Sequence, residues 1–300
     1  MTDFSKGAAW QGGRIMPIHE AKIGVTDWGL THSDITYDVV PIREGAFFRL
    51  PDYLERFHQS MESLRLDVGM NSAEIRSALH AMVAASGLHD SYCSMVASRG
   101  VPTIPGSRDP RDCANHFYAW CVPFIYVFKP DVVERGAKLQ IGATRRIPDD
   151  SVDPRAKNYH WGDFTPSLID AKETGFDNTL LLDHQGRVTE GPGFNIFAVF
   201  GDHIVTPEWG CLEGITRRTV LEIAAVEGLI PEIRDLPVAK FMQADEVFTS
   251  TSGGGIAPVV QVDDRVFSNG APGQITQRLA TAYLAWTGRE DLIERVSYGD

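Results

Sequence analysis

Four cysteines in 300 residues, with no Cys-x-x-Cys pair, give no basis for a disulfide framework. Cys93, Cys113, Cys121 and Cys211 read as buried or idle thiols of a reducing cytoplasm. None of the nine histidines stands in a His-Glu-x-x-His or comparable spacing, so a metal site has no support. No apolar run nears the roughly 18 residues of a membrane helix. The opening "MTDFSKGAAWQGGRIM" also lacks the apolar stretch of a signal peptide. Basic residues are outnumbered, the net charge is −12, and no basic cluster is present, which argues against nucleic acid. Lysine is scarce, with seven against 21 arginines, so the one in "DPRAKNYHWGD", Lys157, draws notice among its aromatic and amide neighbours.

What is present is an ordinary globular composition, 43% hydrophobic and 23% charged. A chain of this length suits two domains that bury roughly three-quarters of the unfolded surface. "AAWQGGRIMP" predicts a hairpin turning at Gly12–Gly13, and "TYDVVPIREGAFFRL" another at Glu44–Gly45. In "PDYLERFHQSMESLRL" the period changes, and Leu54, Phe57, Met61 and Leu64 form one helical stripe. A second helix is expected from about Ser72 to Ala85, with Ile75, Leu79, Met82 and Val83 inward and Gly87 beyond its end. "YCSMVAS" and "HFYAWCVPFIYVF" flank a long loop from Val101 to Asn115. A strand is expected to end at Lys129–Pro130. The boundary there divides a small domain, 1–126, from a larger one, 137–300, through a linker, 127–136. Further on, "NTLLLDHQGRVTEG" and "NIFAVFGDHIVTP" read as hairpins. "GITRRTVLEIAAVEG" reads as a helix with Val220, Ile223 and Ala224 inward. Mixed strands with segregated helices indicate an α+β fold.

Three features of the second half would make chemical sense together. The helix opening at "GITRR" offers unpaired N–H groups and a dipole end that suit phosphate, with Thr216 supplying a hydroxyl. Its ordinary reading is a helix cap. "STSGGG" places Thr251 and Ser252 beside backbone that an anion can approach closely, or is simply a polar turn. Glu190, in "VTEGPGFN", would matter if it faced a ring nitrogen, where a carboxylate keeps the ring protonated; otherwise it is a solvated strand end. A phosphate, a ring nitrogen and an aldehyde needing a lysine all belong to pyridoxal 5′-phosphate. A free lysine, with pKa ~10.4, is almost wholly charged at neutral pH. Packing against Tyr159 and Trp161 would raise its neutral fraction.

In order, "KNYHWGD", "TEGPGFNIF", "LEGITRR" and "TSGGGIAP" resemble the fold-type IV pyridoxal-phosphate enzymes, a group that includes branched-chain aminotransferases, D-amino-acid transaminases and (R)-selective amine transaminases. "HSDITYDVV" and "FFRLPDYLERF" extend the resemblance over most of the chain. It implies a two-domain α+β fold, with a small N-terminal domain and a larger one built on a mixed, barrel-like sheet. It also implies that Lys157 is the Schiff-base lysine, Glu190 the partner of the pyridine nitrogen, and Arg56 a phosphate ligand. Ile215, Thr216, Thr251 and Ser252 complete the phosphate cup, and Leu212 lies against the cofactor ring. His32, Tyr37 and Trp161 fall where pocket residues would sit.

Within the family, "HSDITYDV" and "EGPGFN" are most similar to (R)-selective amine transaminases. "SMVASRG" lacks the Arg-x-His pair ascribed to the D-amino-acid enzymes, so a donor carboxylate is not demanded. Arg108 and Arg111, in the loop, are candidates for the acceptor's carboxylate, although exposed loop arginines are the plainer reading. The implied reaction is ping-pong transfer from an (R)-amine or D-amino acid to a keto acid such as pyruvate, by a homodimer. A branched-chain L-amino-acid aminotransferase using 2-oxoglutarate is the nearest alternative, with an aminodeoxychorismate lyase further off. A non-catalytic module keeping the fold is disfavoured by Lys157, Glu190 and Arg56 standing together.

Overall fold

Gly12 and Gly13, both at positive φ, turn the chain between β1 (Ala8–Gln11) and β2 (Arg14–Pro17). This is the backbone a two-residue hairpin requires. The protein is described here by a computed structural model over residues 3–299. It forms two compact units. The first holds the chain up to Ile125, the segment Ala156–Tyr159 and the stretch from Arg289; the second holds Tyr126–Arg155 and His160–Gly288.

In the first unit a short helix α1 (Trp28–Thr31) precedes β3 (Ile35–Arg43) and β4 (Ala46–Phe48), which turn at Glu44–Gly45 as expected. Helices α2 (Leu50–Ser63) and α3 (Ser72–Ser86) follow, then the long strands β5 (Ser91–Pro102) and β6 (Cys113–Pro123). A C-terminal strand, Ile293–Arg295, completes a seven-stranded sheet. Its order is C-terminal strand, β4, β3, β5, β6, β1, β2. The apolar stripe of α2 is buried through Leu54, Phe57 and Met61, while Leu64 caps its end. Asn71 and Glu74 form a reciprocal capping box at the start of α3, and Gly87 ends it in the left-handed conformation. The expected loop from Val101 to Asn115 is shorter than it reads. β5 runs on to Pro102 and β6 begins at Cys113, so strand pairing takes up both ends.

Strand alternation gives this sheet two different faces. Thr36, Asp38 and Val40 share one with Cys93, Met95 and Ala97; Tyr37 and Val39 share the other with Ser94 and Val96. Tyr118 and Trp120 of β6 continue the second face. Asp27 ties one end of it together. Its carboxylate accepts from Gly29 N at 2.8 Å and Ser98 Oγ at 2.5 Å, and bonds His116 Nε2 at 2.6 Å. Burial pushes the Asp27 carboxyl up, but the hydrogen bonds from Ser98, His116 and Gly29 outweigh it and leave it below the ordinary value. A depressed carboxyl stabilises the fold above its unfolded-state pKa and loses that contribution as pH falls through the folded one. Asp27→Asn should therefore lower the urea midpoint at neutral pH. The gap from wild type should close below about pH 4.

The second unit opens with α4 (Pro130–Arg135), which corrects an expectation. The strand before it stops at Pro123, not at Lys129–Pro130, and Pro130 starts a helix, where its missing N–H has no cost. The strands are β7 (Ala137–Ile141), β8 (Asn178–Leu180), β9 (Glu190–Gly191), β10 (Phe194–Phe200), β11 (His203–Pro207), β12 (Ile230–Arg234), β13 (Glu246–Thr251), β14 (Gly255–Val262) and β15 (Arg265–Val266). They form a nine-stranded mixed sheet ordered β12, β11, β10, β13, β14, β7, β8, with β15 on β14 and β9 on β10. The β10–β11 hairpin turns at Gly201–Asp202 as the pattern predicts. The Asn178–Gly191 stretch folds back as expected, with Leu182 bridging Val188, Leu181 N bonding Glu190 O and Asp183 N bonding Arg187 O, while β8 pairs in parallel with β7. Helices α5 (Phe164–Glu173), α6 (Ile215–Val226), α7 (Val238–Phe241) and α8 (Gln274–Trp286) complete the unit. Its core gathers Leu139, Phe194, Ile196, Val205, Phe241 and Val247. Fully burying a side chain of this size contributes roughly 1.5–3 kcal/mol. Among the described residues no helix is long and apolar enough to cross a membrane.

Candidate active site

Lys157 owes its surroundings to one bridge. Ala156–Tyr159 lies beside β3, with Asn158 opposite Thr36. Lys157 O accepts from Thr36 Oγ1 at 2.6 Å and from Tyr37 N at 3.2 Å. Asn158 thus shares the side of Thr36, and Lys157 and Tyr159 fall on the side of Tyr37. There Lys157 Nζ sits 4.6 Å from the centre of the Tyr37 ring, and Tyr159 packs 4.3 Å from that ring. Tyr92 and Tyr118 join the same cluster. Burial pushes the Tyr92 phenol up to about 12, against the pull of the Lys157 charge, and Tyr118 likewise to about 12. It raises Tyr159 too. These phenols stay protonated at neutral pH and can donate hydrogen bonds.

Arg56 projects from α2 to the other side of β3, where it forks onto Asp38. Its Nε lies 2.8 Å from Oδ2 and its Nη2 2.6 Å from Oδ1. Both side chains are buried. Burial opposes the Arg56 charge, yet Asp38 beside it holds the guanidinium above its ordinary value. His32 ends α1, exposed, bonded to Thr31 Oγ1 at 2.8 Å and stacked 4.5 Å from Trp28. In the β5–β6 loop Arg111 pairs with Asp109 at 2.5 Å, and Arg108 is exposed.

In the second unit the short β9–β10 pairing sets Glu190 opposite Asn195, and β13 sets Ser250 opposite Asn195. Glu190 is buried. Its Oε1 receives Arg146 Nη2 at 3.0 Å and its Oε2 receives Leu212 N at 3.0 Å. Asn195 Nδ2 donates to Leu212 O at 2.8 Å, so one amide fixes the approach to α6. A Cβ at Gly214, the residue before α6, would lie 2.1 Å from Asn195 Oδ1; only glycine fits there.

Thr216 does not cap this helix, because the N-cap is Gly214 and no side-chain cap bond forms. Instead Thr216 Oγ1 is buried without a hydrogen-bond partner, as is Ser250 Oγ. A buried hydroxyl left unbonded is costly, and beside the free amides of a helix start it suits an anion. Thr251 Oγ1 donates to Gly193 O at 2.7 Å and accepts from Gly253 N at 3.0 Å, which shapes the glycine turn. Ser252 follows it, half-buried. Trp161 is half-buried, with its ring 5.7 Å from that of Phe164.

The first unit therefore assembles Lys157 with Tyr37 and holds Arg56 on Asp38, while His32 ends α1. The second assembles Glu190, Leu212, Ile215 and Thr216. Sequence reasoning passes over Arg146, Asp163 and Asn195, and also Asp38. Asn195 lies inside the quoted "TEGPGFN", and Asp38 is signalled as the one acid in an apolar strand. Arg146 carries no local signal.

Comparisons with known proteins identify the family. The amino-transferase class IV family model matches residues 36–262. A putative branched-chain-amino-acid aminotransferase of Methanocaldococcus jannaschii is 30% identical over 89% of this chain and 92% of its own length. A D-alanine aminotransferase of Bacillus licheniformis is 26% identical, over 90% and 93%. Among solved structures, a T.th. branched-chain amino acid aminotransferase with pyridoxamine 5′-phosphate superposes with a TM-score of 0.90. It is 27% identical, covering 97% of this chain and 99% of that one. The chain belongs to the amino-transferase class IV family.

Proposed function

We propose that the protein is a pyridoxal-5′-phosphate-dependent transaminase that moves an amino group from an (R)-amine or D-amino acid to a keto acid such as pyruvate. The observation carrying the donor class is the face around Lys157. Strand alternation lines it with Tyr37, Val39, Tyr92, Ser94, Val96, Tyr118 and Trp120, and the cations further along the same face, Arg43 and His116, are engaged by Asp90 and Asp27. Aromatic and neutral side chains accept an apolar amine and offer no fixed clamp for a carboxylate.

The residues present fit the cofactor, as the unbonded Thr216 hydroxyl at a helix start argues. Thr216, Ile215, Thr251, Ser252 and Arg56 would hold the phosphate, Leu212 the ring and Glu190 its nitrogen. When bound, pyridoxal phosphate supplies an aldehyde for the amine and a ring that withdraws electrons. Lys157 would hold the aldehyde end of the bound cofactor through its amine. Freed, Nζ would take the donor's Cα proton as a base and, as an acid, pass it to the carbon that had carried the cofactor's aldehyde. Glu190 would stabilise a proton on the ring nitrogen. The Tyr37 ring lies against the half-buried lysine, and the Tyr159 ring packs on Tyr37. His32, Trp161, Arg108 and Arg111 remain candidates for substrate contact. A cytoplasmic homodimer is the proposed form.

The names of the relatives favour a second reading, an L-branched-chain aminotransferase using 2-oxoglutarate. Paired enantiomers separate the two. Initial rates with (R)- and (S)-1-phenylethylamine and pyruvate, and with D- and L-alanine and 2-oxoglutarate, are compared with L-leucine and 2-oxoglutarate. We expect the (R) and D donors to lead by at least about tenfold, the size of a contact worth ~1.4 kcal/mol. A lead for L-leucine with 2-oxoglutarate would replace the first reading by the second.

A further inference from the structure

Behind Glu190 lies a buried ion triad that the proposed chemistry does not yet use. Arg146 Nη2 reaches Glu190 Oε1 at 3.0 Å and Nη1 reaches Asp163 Oδ2 at 2.5 Å. All three residues are buried. Asp163 is itself fixed, accepting from Phe164 N at 2.8 Å as the cap of α5 and from Ile147 N at 3.0 Å. The guanidinium lies 4.3 Å from the centre of the Phe164 ring. Its planar fork is thus clamped by an immobile carboxylate on one side and a ring below, and offers its other arm to Glu190. A carboxylate this far from water stays charged only with a nearby opposite charge and hydrogen bonds.

We infer that Arg146, held by Asp163, is a positioning residue that keeps Glu190 ionised and turned in one direction. The inference rests on reading Glu190 as the partner of the cofactor's ring nitrogen. Asp163 closes the "KNYHWGD" segment that begins at Lys157, so one guanidinium sets the nitrogen partner from a residue of the lysine's own segment.

The test uses full-length Arg146→Gln, Arg146→Lys and Asp163→Asn proteins. Infrared spectra of the cofactor-free chains, with Glu190→Gln to assign the band, report whether Glu190 carries a proton. In Arg146→Gln a protonated-carboxyl band should appear at neutral pH. In the loaded enzyme kcat should fall about tenfold or more, the size of one charge-assisted hydrogen bond, with KM changing less. Arg146→Lys should keep the band absent and lose less kcat, and Asp163→Asn should lie between. If Arg146→Gln loses only stability, with Glu190 still ionised and the pH profile unmoved, Arg146 is merely structural. Should Arg146→Gln not fold, an Asp163→Asn protein with Glu190 still ionised and a kcat and pH profile equal to wild type would overturn the inference. Failure of the cofactor to bind Lys157 would sink the reading of the site but leave the infrared result standing, so the two failures are distinct.

Discussion

Lys157→Ala should abolish transamination, by at least about 10³-fold, while the protein stays folded. The size follows from losing both the covalent anchor and the group that moves the proton, since general acid–base work alone contributes typically 10²–10⁴-fold. Folding should survive because the contacts that place this segment are made by its backbone. Lys157 O accepts from Thr36 and Tyr37, and Lys157 N donates to Ser60 Oγ at 3.3 Å. Alanine keeps all three. Initial rates read together with the urea midpoint check this pairing of outcomes. Activity within tenfold of wild type would remove Lys157 from the chemistry. A collapsed midpoint would make its role structural.

The second large effect belongs to Arg56→Met. Asp38 is fully buried, and removing its partner leaves an uncompensated charge, which typically costs about 3–5 kcal/mol. Against a usual total of about 5–15 kcal/mol this is severe. The double variant Asp38→Asn, Arg56→Met separates the fold from the site. Restoring neutrality at position 38 should recover much of the urea midpoint. Phosphate affinity should stay reduced by about tenfold or more, because the Arg56 charge is still missing. A double variant that binds pyridoxal phosphate as wild type does would limit Arg56 to anchoring α2 on β3.

How far the sequence foretells this molecule depends on the range of the interaction. The two-residue turns at Gly12–Gly13 and Glu44–Gly45 are written locally, because positive φ at both positions selects residue types. The stripe of Leu54, Phe57 and Met61 is also local, since a helix repeats every 3.6 residues. Lys157 is different. Its face of the sheet is set by a bridge to Thr36, 121 positions away from the lysine itself, and no window of sequence contains both partners. Arg56 alone looks like a solvated helix charge, and only pairing with β3 shows it buried on Asp38. Arg146 escapes notice for the same reason, since Glu190 lies 44 positions further on. The Thr216 hydroxyl is visible in the sequence but reads equally as a cap, because a cap and a ligand contact use the same residue types at a helix start. What proximity in sequence leaves open, the order of the short motifs supplies through the family resemblance.

The most direct measurement is borohydride reduction of the protein incubated with pyridoxal phosphate, followed by peptide mapping. A phosphopyridoxyl label confined to the peptide containing "AKNYHWGD", and lost in Lys157→Ala, is the expected result. A label on another of the seven lysines, or on none, would contradict the assignment of Lys157 and the function built on it.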